Sequence, residues 1–143
     1  MLKELARRLL RFSFIRFGLV GAAGYVVDAS VLALGLEQFG LDQYRARALS
    51  IAVAMTATWL GNRYFTFADR RARGSFSAVA EEALKFAGAN LTGAVVNYGV
   101  YAALVRFADA PLNNAYLAQV IGVLAGLIFN FTLSRTLVFR RTS

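Results

Sequence analysis

The fold is decided by residues 17–36, which read FGLVGAAGYVVDASVLALGL and contain one charged residue, Asp28. A helix of about 20 apolar residues is long enough to cross the hydrocarbon core of a bilayer. Three further apolar windows share this character when their polar flanks are included, at 44–63, 86–105 and 115–134. The sequence therefore predicts an all-α integral membrane protein with four transmembrane helices.

The composition also favours a membrane protein. Of the 143 residues, 58% are hydrophobic and 17% are charged, yet the formal net charge is +8. This combination is typical of apolar spans with basic flanks, and not of a nucleic-acid-binding domain. The chain has no His and no Cys, which excludes an imidazole base, a thiol nucleophile and the usual zinc ligands. We therefore predict a binding or transport protein, not an enzyme, with no catalytic residues, metal or cofactor.

The distribution of cations predicts the orientation. Of the 16 Lys and Arg residues, all but Arg45, Arg47 and Arg106 lie in the N-terminal segment, the middle loop or the C-terminal segment. By the positive-inside rule, both termini and the middle loop face the cytoplasm. In this arrangement Arg47 is a flank that snorkels to the outer interface.

The polar segments complete a single domain over residues 1–143. Residues 1–16 place apolar side chains among five cations, which predicts an interfacial amphipathic helix on anionic lipid. Ser75 or Ser77 is expected to cap a short helix that runs into the third span.

The four spans align as an internal repeat. The first and third spans match at an offset of 69 residues, which pairs Asp28 with Asn97, and the second and fourth match at an offset of 72, which pairs Arg63 with Arg135. Two hairpins that each start and end in the cytoplasm are parallel copies related by an axis along the membrane normal. The sequence therefore predicts two parallel two-helix repeats.

One carboxylate and four amides lie inside three of the spans. Asp28 lies near the midplane of the first, where a carboxylate costs roughly 2.5–3.5 kcal/mol on insertion scales. The amides are Asn90, Asn97, Gln119 and Asn130. Two interpretations stay open: helix packing through hydrogen bonds, such as one from a protonated Asp28 to Asn97, or the lining of a polar cavity.

Each span also has a cation at its cytoplasmic end: Arg16, Arg63, Lys85 and Arg135. Contact with anionic lipid headgroups explains each one alone. Together they also fit a cationic ring that binds a lipid phosphate, because the guanidinium fork donates two parallel hydrogen bonds to phosphate oxygens.

Short motifs mark the ends of the spans in a fixed order. They are FIRFGLVG at 14–21, NRYFTF at 62–67, KF at 85–86, NF at 130–131 and SRTLVF at 134–139. In order and spacing, across residues 12–140, they resemble the GtrA-like family of small bacterial membrane proteins.

The resemblance implies a flippase that moves a polyprenyl (undecaprenyl)-phosphate-linked sugar across the bacterial inner membrane in polysaccharide synthesis. In that function the four cations would bind the phosphate. Asp28, Asn90, Asn97, Gln119 and Asn130 would offer hydrogen bonds to the sugar.

Two other functions fit the same sequence. One is a membrane subunit that docks a polyprenyl-phosphate glycosyltransferase, and the other is a small proton-coupled exporter of cations with Asp28 as the proton site. Small residues also form stripes along the predicted helices, such as Gly21, Gly24 and Gly35 in the first span and Gly122 and Gly126 in the fourth. These small-residue stripes are also compatible with a parallel homodimer. We expect no nucleic-acid partner.

Overall fold

The computed structural model describes residues 1–66 and 73–137, which are almost entirely helical. The helices are α1 (Leu2–Glu37), α2 (Gln43–Gly61), α3 (Phe76–Phe107) and α4 (Ala115–Leu137), and α2 continues into a π-helical turn at Asn62–Thr66. The prediction of an all-α chain is confirmed over these residues.

The helices pair as two hairpins. α1 packs along α2, α3 packs along α4, and a smaller contact between α2 and α3 joins the two pairs. In the first hairpin, Gly24 of α1 lies against Thr58, and Gly35 lies against Ala46. Because the contact partners descend along α2 as they ascend along α1, the two helices are antiparallel.

The second hairpin is also antiparallel, and its backbones come closer together. Gly93 of α3 lies against Asn130 of α4, whereas Gly122 and Gly126 lie against Asn97. A Cβ atom on Gly126 would stand 2.8 Å from the carbonyl oxygen of Gly93. Small residues therefore set the distance between α3 and α4, as is common where helices pack inside a membrane.

Side-chain caps fix where the helices begin. Asp42 accepts hydrogen bonds from the backbone amides of Tyr44 and Arg45 at the start of α2, each at 3.0 Å. Ser75 accepts one from the amide of Ala78 and is the N-cap of α3, in agreement with the sequence. These caps satisfy amide groups that have no partner within the helix.

One described helix is clearly apolar and long enough to cross a membrane. It is the 23-residue stretch Ile15–Glu37, with a mean hydropathy of 1.8, and the described part of α4 contributes a shorter apolar stretch, Ala115–Asn130. α2 contains Arg45 and Arg47, and α3 contains asparagines such as Asn97, which lower the hydropathy of these helices. The arrangement of four spans stays a prediction.

The N-terminal segment is part of α1. The helix runs from Leu2 to Glu37, so residues 1–16 continue directly into the first apolar span. The first Gly is Gly18 and the only Pro is Pro111, so residues 1–16 contain neither residue that would favour a break. The location of this segment at the membrane interface stays a prediction.

Candidate functional site

The centre of the polar site is Arg47, in the second turn of α2. Its side chain is completely buried. Nη1 donates hydrogen bonds to Asp28 Oδ1 at 2.7 Å and to Ser50 Oγ at 3.0 Å, and Nη2 donates to Asn97 Oδ1 at 2.6 Å. Since Asp28 belongs to α1 and Asn97 to α3, one guanidinium joins the two hairpins.

The aromatic ring of Tyr101 packs against this guanidinium. The Arg47 guanidinium carbon lies 5.4 Å from the centroid of the buried Tyr101 ring, within the range of a cation–π interaction. The Tyr101 hydroxyl donates to the carbonyl oxygen of Gln43 at 3.1 Å. Removing an ion pair from water is costly, so such a pair persists only where its remaining donors are largely satisfied. Among the Arg47 nitrogens, Nε has no acceptor.

The position of Arg47 corrects two predictions. It is not a flank that snorkels to the outer interface, because the carboxylate of Asp28 draws the guanidinium into the bundle. Nor does Asp28 bond Asn97 directly, since Arg47 lies between them and both accept from it. The sequence did contain a signal: Arg47 is at helical spacing with Ser50 and Ala54, and a carboxylate inside a membrane needs a partner.

Gln119 occupies the position of Arg47 in the second hairpin, by the repeat offset of 72 residues. Its side chain is also buried, and its Nε2 atom has no hydrogen-bond partner. Gln119 does not line the cavity described next. Its predicted role as a sugar contact therefore has no geometric support.

A cavity of about 550 Å³ lies between the four helices and is lined mainly by small and apolar side chains. The predicted sugar-contacting residues that line it are Asp28, Asn90, Asn97 and Asn130. Thr58 adds a hydroxyl. A pocket of this size with a few convergent polar groups is the usual form of a small-molecule site. Both interpretations of the polar residues therefore hold in part, because Asp28 and Asn97 bind Arg47 and also face the cavity.

Two of the predicted phosphate-binding cations lie at the end of the hairpins that carries the N-terminus. Arg16 is exposed, donates to the carbonyl oxygen of Phe65 at 3.3 Å and lies 5.2 Å from the centroid of that ring. Arg63 is buried and donates to both carboxylate oxygens of Glu82, each at 2.8 Å. The ion pair with Glu82 connects the first hairpin to α3.

The other two predicted phosphate-binding cations are Lys85 and Arg135. Lys85 forms an exposed ion pair with Glu81 at 2.8 Å. The hydrogen bond between them raises the pKa of Lys85 and lowers the pKa of Glu81. The side chain of Arg135 lies outside the described residues. The structure thus places Arg16, Arg63 and Lys85 beyond the lining of the cavity, each with a partner of its own.

The comparison with protein families identifies the chain as a membrane domain. A family model described as "GtrA/DPMS, transmembrane domain" matches residues 16–139. No curated protein and no solved structure matches the chain. The matching family is one of membrane domains tied to the handling of lipid-linked sugars. Because the match spans nearly the whole sequence, the chain belongs to the GtrA/DPMS transmembrane-domain family.

Proposed function

We propose that this protein moves a polyprenyl (undecaprenyl)-phosphate-linked sugar from the cytoplasmic to the outer leaflet of the bacterial inner membrane. In this proposal all four helices span the bilayer, and both termini lie in the cytoplasm. The observation that carries the proposal is the cavity between the hairpins, with Asp28, three asparagine amides and the Thr58 hydroxyl in a mainly apolar wall.

The polar groups of the cavity match the chemistry of a sugar. Sugar hydroxyls both donate and accept hydrogen bonds, and the lining offers both functions. Arg47 occupies one oxygen of Asp28 and the oxygen of Asn97. The second carboxylate oxygen of Asp28 can therefore accept from a hydroxyl, and the Asn97 amide nitrogen can donate to one. The side chain of Asn130 adds a further amide to the cavity wall.

The cytoplasmic end supplies charge for the phosphate. Arg16 and Lys85 are exposed there, and an exposed ion pair such as Lys85–Glu81 contributes little to stability. A phosphate can therefore replace Glu81 at small cost. Arg63 and Arg135 complete the proposed set, while the prenyl chain stays in the surrounding lipid.

Two observations weigh against the alternative functions. Asp28 forms an ion pair with Arg47, whereas an exporter of cations needs a carboxylate that is available to its cargo. A docking subunit for a glycosyltransferase needs the cationic end but not an internal cavity. The cavity therefore favours translocation over docking.

Reconstitution tests the proposed function. Purified protein is placed in liposomes that contain a polyprenyl-phosphate-linked sugar, and the sugar that appears in the opposite leaflet is measured against time. We expect a rate well above that of protein-free liposomes. Equal rates would contradict translocation, and co-purification with a glycosyltransferase would then favour docking.

A further inference from the structure

The two hairpins are joined differently at their two ends. At the end that carries the inter-helix loops 38–42 and 108–114, α2 and α3 are connected by the bond from Arg47 to Asn97. Tyrosine hydroxyls add three more links at this loop end: Tyr98 to the carbonyl oxygen of Tyr44, Tyr101 to that of Gln43, and Tyr116 to the carboxylate of Glu37. The opposite end has the ion pair of Arg63 with Glu82.

Arg47 stands where the cavity ends. Asp28 and Asn97 line the cavity, but Arg47 does not, although it contacts both. The guanidinium therefore lies behind these two side chains, and the buried ring of Tyr101 lies against it. Arg47 and Tyr101 therefore form a layer between the cavity and the loop end.

The bonds of Arg47 divide into two kinds. Those from Nη1 go to Asp28 and Ser50, which belong to the same hairpin as Arg47. The bond from Nη2 goes to a neutral amide of the other hairpin, Asn97. A hydrogen bond between two ionised groups is stronger than one to a neutral amide, so the link to Asn97 is weaker than the link to Asp28.

The free donor of Arg47 lies beside this weaker link. Nε has no acceptor and is buried, and in a guanidinium Nε and Nη2 point outward along the same edge. Once Asn97 leaves, this edge presents two parallel N–H donors, the geometry that binds two oxygens of one phosphate.

We propose that Arg47 is an internal phosphate-binding site, in which the Nε–Nη2 edge exchanges the amide of Asn97 for two phosphate oxygens and thereby opens the cavity towards the loop end. The ligand class is a polyprenyl phosphate monoester or a sugar diester of it. The inference rests on the proposed function for the identity of this ligand. Asp28 stays on Nη1 and keeps the site close to neutral before the phosphate arrives.

Cysteine accessibility tests the exchange, because the chain has no native Cys. A reporter thiol is introduced by Ala94→Cys, since Ala94 is a small residue in the cavity wall. Membrane vesicles of both orientations are treated with a membrane-impermeant maleimide, with or without added undecaprenyl phosphate. In the parent we expect slow labelling from the loop end, which the added lipid accelerates.

Two further variants test whether faster labelling comes from loss of the bond between the hairpins or from a general destabilisation of the protein. Asn97→Ala removes the competing amide, and we expect labelling from the loop end to rise about tenfold without lipid, equivalent to about 1.4 kcal/mol. Ser50→Ala is the matched control, because Ser50 accepts from the same guanidinium but belongs to the same hairpin. It should leave the labelling at the parent rate.

Arg47→Lys gives the decisive outcome and does not depend on the folding of Asn97→Ala. A lysine retains the charge beside Asp28 but lacks the two-donor edge, so we expect faster basal labelling and no response to undecaprenyl phosphate. A response equal to that of the parent would overturn the phosphate site. Equal acceleration by Asn97→Ala and Ser50→Ala would overturn the role of the inter-hairpin bond. Labelling does not require flipping, so a failure of the liposome assay would refute the proposed function separately.

Discussion

The two hairpins have different polar residues at equivalent positions. At three positions related by the repeat offsets, the first hairpin has an ionisable group and the second has an amide: Asp28 and Asn97, Arg47 and Gln119, and Asp42 and Asn114. The caps show that the geometry is shared. Asp42 accepts from the amides two and three residues ahead, and Asn114 does the same at the start of α4.

This comparison shows that ionisable side chains at these positions are not needed to build a hairpin of this kind. The second hairpin packs more closely than the first, although it has Gln119 in place of Arg47. The charged pair Asp28–Arg47 is used instead at the junction, where Arg47 reaches across to Asn97. The experiments below test this difference between the hairpins, in order of decreasing expected effect.

The largest effect is expected from Arg47→Leu. This variant leaves the carboxylate of Asp28 buried without a partner, which typically costs about 3–5 kcal/mol. The matched variant is Gln119→Leu, which removes an amide whose nitrogen already has no partner, so we expect a change below about 1 kcal/mol. Thermal unfolding of both in the same detergent measures the difference. Equal destabilisation would contradict the assignment of the junction to Arg47.

The next effect is the coupling between Asp28 and Arg47. Asp28→Asn with Arg47→Gln gives the first hairpin the Asn–Gln pair that the second already has. We expect the double variant to be more stable than the sum of the two single-variant effects predicts. The interaction energy should be about 0.5–3 kcal/mol. A double-mutant cycle on unfolding free energies measures it. Strict additivity would show that the two groups do not interact in the folded protein.

A smaller loss of stability is expected where a glycine at a helix contact is replaced by alanine, and its size reports how closely the two helices approach. A Cβ atom on Gly126 would meet the backbone oxygen of Gly93, whereas one on Gly61 would meet the methyl groups of the Val20 side chain and no backbone atom. We expect Gly126→Ala to cost about 1–3 kcal/mol and Gly61→Ala to cost less. Gly99→Ala is the control, because nothing lies near its position. Thermal unfolding that ranks Gly61→Ala as the more harmful variant would contradict the tighter packing of the second hairpin.

The smallest effect is the pH dependence of the two caps. Hydrogen bonds from the amides of Arg45 and then of Tyr44 hold the pKa of Asp42 below its usual value. A lowered folded-state pKa contributes stability above the unfolded value of about 3.9, and this contribution is lost as the pH falls through the folded value. Asp42→Asn should therefore lower the melting temperature at neutral pH and have less effect in acid. Asn114→Ala should lower it by an amount that does not depend on pH in this way.

Much of the fold could be predicted from the sequence because it depends on local patterns. Hydrophobic periodicity, the cap at Ser75 and the small-residue stripes all appear in short windows. An inward-facing Asp28 followed from its place in the first apolar run, and the structure buries it in the cavity wall.

The partners of the charged residues could not be predicted in the same way. An arginine near the end of an apolar helix fits a snorkelling flank as well as an inward ion pair, and the choice for Arg47 depends on how α1, α2 and α3 meet. Likewise, Glu82 approaches Arg63 through contacts that no sequence window contains.

The central claim is that a lipid-linked sugar crosses through the cavity between the hairpins, and a matched pair of adjacent residues tests it most directly. Ala94 lines the cavity, whereas Val95 is 63% exposed on the outside of α3. The measurement is the rate at which a polyprenyl-phosphate-linked sugar changes leaflet in liposomes that contain Ala94→Phe or Val95→Phe. We predict that Ala94→Phe reduces the rate to that of protein-free liposomes, while Val95→Phe keeps the parent rate. Equal rates for the two variants would contradict passage through this cavity.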